Sequence, residues 1–247
     1  MRIPSSVPSC GRIVACGRML LVLALSAIVA PSAHSGTITG TIEWEGKVPA
    51  MKEIDMSSDP ICSSKHDTPV RAEFLVLGEG QTMGNVFVQV VEGLEKKKYP
   101  TPAEAFTLNQ SGCKYTPHVF AVMRNQDIEI LNPDGTLHNV HGLPKLNKEF
   151  NKTMVKSMAS ITVKFPLPEG MFRIKCEVHP WMLAYCAVMS HPFFDVTETD
   201  GAFKIEGLDP GDYTIEAWHE RLGTQRAEIT VGAGEDIQYH DFTFSRP

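Results

Sequence analysis

Long apolar runs are almost missing from this 247-residue sequence. The one present, Met19 to Ala30, is shorter than the about 20 apolar residues a membrane-spanning helix needs. Heptads, low-complexity tracts and sustained helical periodicity are lacking too, which argues against a coiled coil or an all-helical domain. There is no Cys-x-x-Cys-His for covalent haem, no Gly-rich phosphate loop and no Ser/His/Asp arrangement of a hydrolase. Positive charge is scarce, since 23 Lys and Arg stand against 29 Asp and Glu, a net −6. An acidic surface disfavours nucleic acid and anionic lipid as partners.

What is present begins with an address. Arg2, Arg12 and Arg18 precede the apolar run, and small residues close it at Ala33-His34-Ser35. This is the pattern of a cleaved secretory signal over residues 1–35. Cys10 and Cys16 both precede the run, so a lipoprotein anchor is not expected. Cleavage removes three arginines, leaving 212 residues with a charge of about −9. The mature chain is expected to be periplasmic or secreted, with no membrane span and room for one large β domain or two small ones.

Short runs rich in Val, Ile, Thr and Phe, separated by Gly, Pro, Asn and Asp, predict an all-β chain of sandwich or barrel type. Strands are expected at 37–43, 85–91, 120–123, 127–131, 160–165 and 171–176. Further strands are expected at 187–189, 202–205, 213–218, 227–231 and 237–244. Helix is confined to a turn or two near 102–106 and 148–158.

Two devices recur near the C-terminus. Val196-Thr-Glu-Thr-Asp200-Gly201-Ala-Phe203 reads as strand, tight turn, strand, and Leu208-Asp-Pro210-Gly211-Asp-Tyr213 repeats it with a Pro-Gly turn. The pattern resembles the transthyretin-like regulatory domain found beside carboxypeptidases. Gly36-Thr-Ile-Thr-Gly40 and Gly84-Asn-Val86-Phe-Val88 look like the first two strands of that domain. The resemblance implies a sandwich in two segments, 36–98 and 193–247, with residues 99–192 inserted between them. Exposed loop tips tolerate such insertions.

The inserted stretch carries the chemistry. Leu137-His138-Asn139-Val140-His141 follows the turn Asn132-Pro133-Asp134-Gly135, and Cys176-Glu-Val-His179-Pro180-Trp181-Met182 follows a strand. A thiolate, two imidazoles and a thioether form a soft set suited to a single copper, and methionine separates that set from a zinc site. The two motifs resemble the ligand loops of cupredoxins, amicyanin most of all, over residues 103 to 192. More broadly, the chain resembles exported bacterial copper proteins of the methylamine-utilisation type. The resemblance implies a Greek-key β-sandwich with His138, Cys176, His179 and Met182 as copper ligands. It also implies that Asn139 braces the ligand loops, that Pro180 stiffens them and that an exposed edge of His179 passes electrons. His141, taken to lie on the same strand face as a ligand, is expected to sit beside the metal ligands. The Cys113-Lys-Tyr-Thr-Pro117-His118 stretch departs from the small carrier and leaves its redox partner open.

Four cysteines lie beyond the signal. The simplest allocation is a Cys62–Cys113 disulfide, Cys176 on the metal and Cys186 as a buried thiol. A second bridge, Cys176–Cys186, is the alternative. His118, His191, His219 and His240 read as ordinary hydrogen-bonded residues. The expected function is a one-electron copper carrier, with no catalytic residues and with a cytochrome or dehydrogenase as partner. The alternatives are a copper-binding or sensing module and a purely structural sandwich.

Overall fold

Alternating buried and exposed side chains mark several of the strands in the computed structural model, which describes residues 35–234 and 236–246. Apart from Ser35, the signal segment lies outside the described residues. Among the described residues the chain is nearly all β, with one helical turn, Pro60–Ser63, and two short 3-10 turns. No helix among the described residues is long and apolar enough to cross a membrane.

Strand Gly36–Glu45 pairs antiparallel with Ala202–Leu208 and parallel with Ile237–Tyr239 and Phe242–Ser245. A second sheet runs in the order Phe194–Val196, Phe87–Glu92, Gly211–His219 and Gly223–Val231, all antiparallel. Ile38, Ile42, Val88, Phe203, Ile215 and Phe244 share the core that these two sheets supply. The residues of Gly211–His219 alternate, with Tyr213, Ile215, Ala217 and His219 buried, as a period of two requires.

The stretch between carries its own two sheets. Five strands run in the order Val119–Met123, Leu183–Met189, Glu169–Lys175, His138–Leu143 and Phe150–Met154. Three more, Ser160–Val163, Ile128–Leu131 and Phe106–Asn109, form the second sheet. Leu108, Phe120, Ile130, Val140, Phe172 and Ile174 belong to their common core. Each large apolar side chain buried in it contributes roughly 1.5–3 kcal/mol. Every residue of Val119–Met123 is buried because both faces of the strand are covered. Phe120 and Val122 belong to this core, whereas Val119, Ala121 and Met123 join Phe87, Ala187 and Met189 in a third cluster.

Both helix expectations are corrected. The segment expected to be helical at 148–158 holds the strand Phe150–Met154, antiparallel to His138–Leu143, with His138 opposite Met154. Pairing along a neighbouring strand outweighs the weak local preference for helix. At Gly142 a Cβ would sit 2.4 Å from the ring of Phe150, so any larger residue there would force that ring to shift. Residues 102–105 are irregular and lead into Phe106–Asn109, parallel to Ile128–Leu131.

Candidate metal centre

His138 opens its strand directly after the turn Asn132–Gly135, where Gly135 adopts φ +69. Asp134 in this turn accepts hydrogen bonds from the amides of Gly112 (2.8 Å) and Cys113 (2.7 Å). Its Oδ2 lies 3.0 Å from His138 Nε2, and Lys65 Nζ lies 3.1 Å from Oδ1. Burial pushes the Asp134 carboxyl up, but the bonds from His138, the two amides and Lys65 outweigh it and hold the group well below the usual carboxylate range. Burial likewise pulls the His138 ring down, while Asp134 and Cys176 push it up, and the net shift is upward.

Cys176 follows the strand Glu169–Lys175 and turns its sulfur inward. Sγ accepts from the amides of Asn139 and His179, each at 3.4 Å. Burial raises the thiol's pKa, but contact with His138 and these amides outweighs it, so the net shift is downward, toward thiolate. The loop closes on itself. Met182 N donates to His179 O (2.9 Å), and Cys176 N donates to Met182 O (3.2 Å). Met182 is buried in the same core as Cys176, and Pro180 is exposed at the turn.

His138, Cys176 and His179 converge, each presenting a ligand atom within 4.8 Å of the others. The two Nδ1 atoms are 3.1 Å apart, and His179 Nδ1 lies 3.8 Å from Cys176 Sγ. His179 Nε2 lies 3.0 Å from Asp59 Oδ2. With carboxylates taking the Nε2 protons, neutral imidazoles would present two Nδ1 lone pairs beside a thiolate-prone sulfur. That arrangement calls for a cation, and the donors are soft. The residues present therefore fit copper.

Two other groupings overlap this one, Cys62/Cys113/His179 and Cys113/Asp134/His138. Cys62 and Cys113 are joined by a disulfide, so neither offers a thiolate. Cys176 and Cys186 are both free and buried, which disposes of a second bridge. Burial pushes the Cys186 thiol up.

Asn139 Oδ1 accepts from Glu177 N at 3.1 Å, which links the strand of His138 to the loop after Cys176, and its Nδ2 donates to Asn151 Oδ1. Two expectations are corrected. His141 is three residues beyond His138, an odd separation that puts it on the other face of the strand. There it pairs with Glu149 (2.8 Å) and Glu177 (2.5 Å), and these carboxylates raise its pKa. The edge of His179 is not a surface feature, because the residue is only 2% exposed. Asp59 and Cys62 Sγ (3.5 Å) lie at its Nε2. The Trp181 ring is tilted against it with centroids 5.1 Å apart, and Trp181 Nε1 donates to Cys113 O at 3.1 Å.

Asp59, Lys65 and Asp134 are the residues that reading the sequence missed. Asp134 stands in a turn four residues before His138, a spacing that was open to notice. Asp59 ahead of Pro60 signals a helix start but nothing about a histidine 120 residues away.

No family model matches the chain, and no curated protein matches it. Among solved structures it is similar to cupredoxins over about 40% of its length. A copper-containing nitrite reductase from Thermus scotoductus SA-01 matches at 15% identity and a TM-score of 0.33, over 40% of this chain and 26% of that one. A reduced amicyanin mutant matches at 19% identity and a TM-score of 0.31, over 40% of this chain and 100% of that one. A purple cupredoxin from Nitrosopumilus maritimus matches at 17% and 0.29, over 34% and 99%. The match thus spans about a quarter of the nitrite reductase.

Proposed function

We propose that this is an exported protein holding one copper ion through His138, Cys176, His179 and Met182 and passing single electrons to and from a redox protein. The reading rests above all on the convergence of two Nδ1 atoms and Sγ in a buried pocket whose outer nitrogens are already taken by carboxylates. Bound copper would supply the one-electron couple. The chain supplies the rest: backbone amides that hold the sulfur, a closed loop that sets His179 and Met182, and sheets that keep the donors in place in both oxidation states. We assign it no catalytic role, since a buried donor set leaves no position open to a substrate.

We further propose that residues 99–192 form a cupredoxin-like domain nested in a transthyretin-like sandwich made of 36–98 and 193–247. Separate sheets in the two parts support this, as do two largely separate cores, although Met56 and Cys62 of the first segment are buried in the core of residues 99–192. A second reading, copper binding or sensing without electron transfer, is favoured by the covering of His179, the edge through which a partner would be met.

The deciding experiment is the visible absorption and EPR spectrum of the purified protein after Cu(II) addition, beside Cys176→Ser. An intense thiolate-to-copper band, absent from the variant and bleached rapidly and reversibly by ascorbate, is expected. A colourless protein would sink the copper assignment. A band that forms but cycles only slowly would favour the second reading.

A further inference from the structure

The turn from Asp59 to Lys65 lies far from the ligand motifs in sequence, yet it reaches both histidines. Asp59 Oδ1 accepts from the amides of Ile61 (2.8 Å) and Cys62 (3.2 Å), which fixes the carboxylate at the start of the turn. Its other oxygen is then turned to His179 Nε2, at 3.0 Å. At the far end of the turn Lys65 holds Asp134, and Asp134 meets His138 Nε2. Between them, the disulfide ties Cys62 to Cys113.

We propose that Asp59 and Asp134 are positioning residues that turn both Nδ1 lone pairs toward the Cys176 sulfur, and that Asp59 lowers the reduction potential of the copper. The inference rests on the copper reading above. A neutral imidazole carries one N–H. A carboxylate that takes it at Nε2 leaves Nδ1 as a lone pair and makes it more basic, which strengthens the ligand. The two carboxylates are not equivalent. Lys65 and two backbone amides offset the charge of Asp134. The Asp59 carboxylate meets only His179 and the two amides of its own turn among the described residues. Its charge sits one ring away from the metal position and favours the more positive Cu(II) over Cu(I).

The test compares the copper-loaded full-length protein with Asp59→Ser and Asp59→Asn. Serine keeps the cap on the turn but is too short to reach His179. Asparagine keeps the shape and a hydrogen-bonding group without the charge. Both variants are expected to retain the thiolate-to-copper band and to show a more positive midpoint potential. Asp59→Ser is also expected to bind copper about 10–100-fold more weakly against a competing chelator. Unchanged potential and retention in both variants, with the wild-type band intact, would overturn the inference and leave Asp59 as a helix cap alone. A wild type without the band would overturn the copper reading, and the inference with it. If circular dichroism shows that Asp59→Ser is unfolded, the potential of Asp59→Asn decides.

Discussion

His118 Nε2 lies 2.7 Å from Glu220 Oε1, joining residues 102 positions apart across the two halves of the fold. The other ring nitrogen, Nδ1, donates to Leu183 O (2.9 Å), one residue past Met182, and Tyr185 OH donates to Glu220 Oε2 (2.9 Å). Burial raises the Glu220 carboxyl, but His118 and Tyr185 outweigh it and hold the group low. A buried carboxylate with its bonds filled in this way fastens the sheet that carries Gly211–His219 to the sheet that carries Leu183–Met189.

The pair is expected to matter to stability because removing one member strands the other. Glu220→Ala should cost about 3–5 kcal/mol in denaturant unfolding. His118→Ala should cost a similar amount, and the double variant should cost clearly less than the two together. Additive single effects below about 1 kcal/mol would mean that the halves are fastened elsewhere.

The disulfide closes a separation of 51 residues between Cys62 and Cys113. Loop-closure entropy then predicts a loss of about 4 kcal/mol for Cys62→Ser paired with Cys113→Ser. Urea unfolding of that double variant is the check, and a loss under about 1 kcal/mol would show that the denatured chain is little constrained by the bridge. With Cys10→Ser and Cys16→Ser in place, the denatured and unreduced protein should show two titratable thiols, Cys176 and Cys186.

His219 gives the fold an acid limit. Its ring is buried at the end of Gly211–His219, its Nδ1 accepts from Arg221 N (3.3 Å), and burial lowers its pKa from 6.5 to about 4. The unfolded chain therefore binds the proton first. The contribution of the neutral ring is complete above about pH 6.5 and falls away toward pH 4. At 1.36 kcal/mol per pH unit it amounts to roughly 3 kcal/mol. His219→Phe should flatten the stability profile between pH 6.5 and 4. A profile as steep as that of the wild type would assign the acid loss to other groups.

Much of the fold was legible because a strand writes its buried face into the sequence at every second residue. Gly36–Glu45, Gly211–His219 and Glu169–Lys175 were all found this way, with ends off by a few residues. Phe150–Met154 was not, because exposed residues at 151–153 leave almost no apolar alternation and its pairing with His138–Leu143 supplies the order instead. His141 misled through nearness in sequence, where the parity of its position sends the side chain outward.

The sequence by itself determined the all-β class and the kinds and order of the residues in the motifs at 137–141 and 176–182, since periodicity and side-chain chemistry are local properties of a chain. Only the tertiary structure decided that Asp59 and Asp134 face the two imidazoles, that the disulfide lies against His179, and that the edge of His179 is covered. Those contacts join residues brought together by sheet pairing and burial, and no short-range pattern encodes which distant turn will come to lie over a given ring.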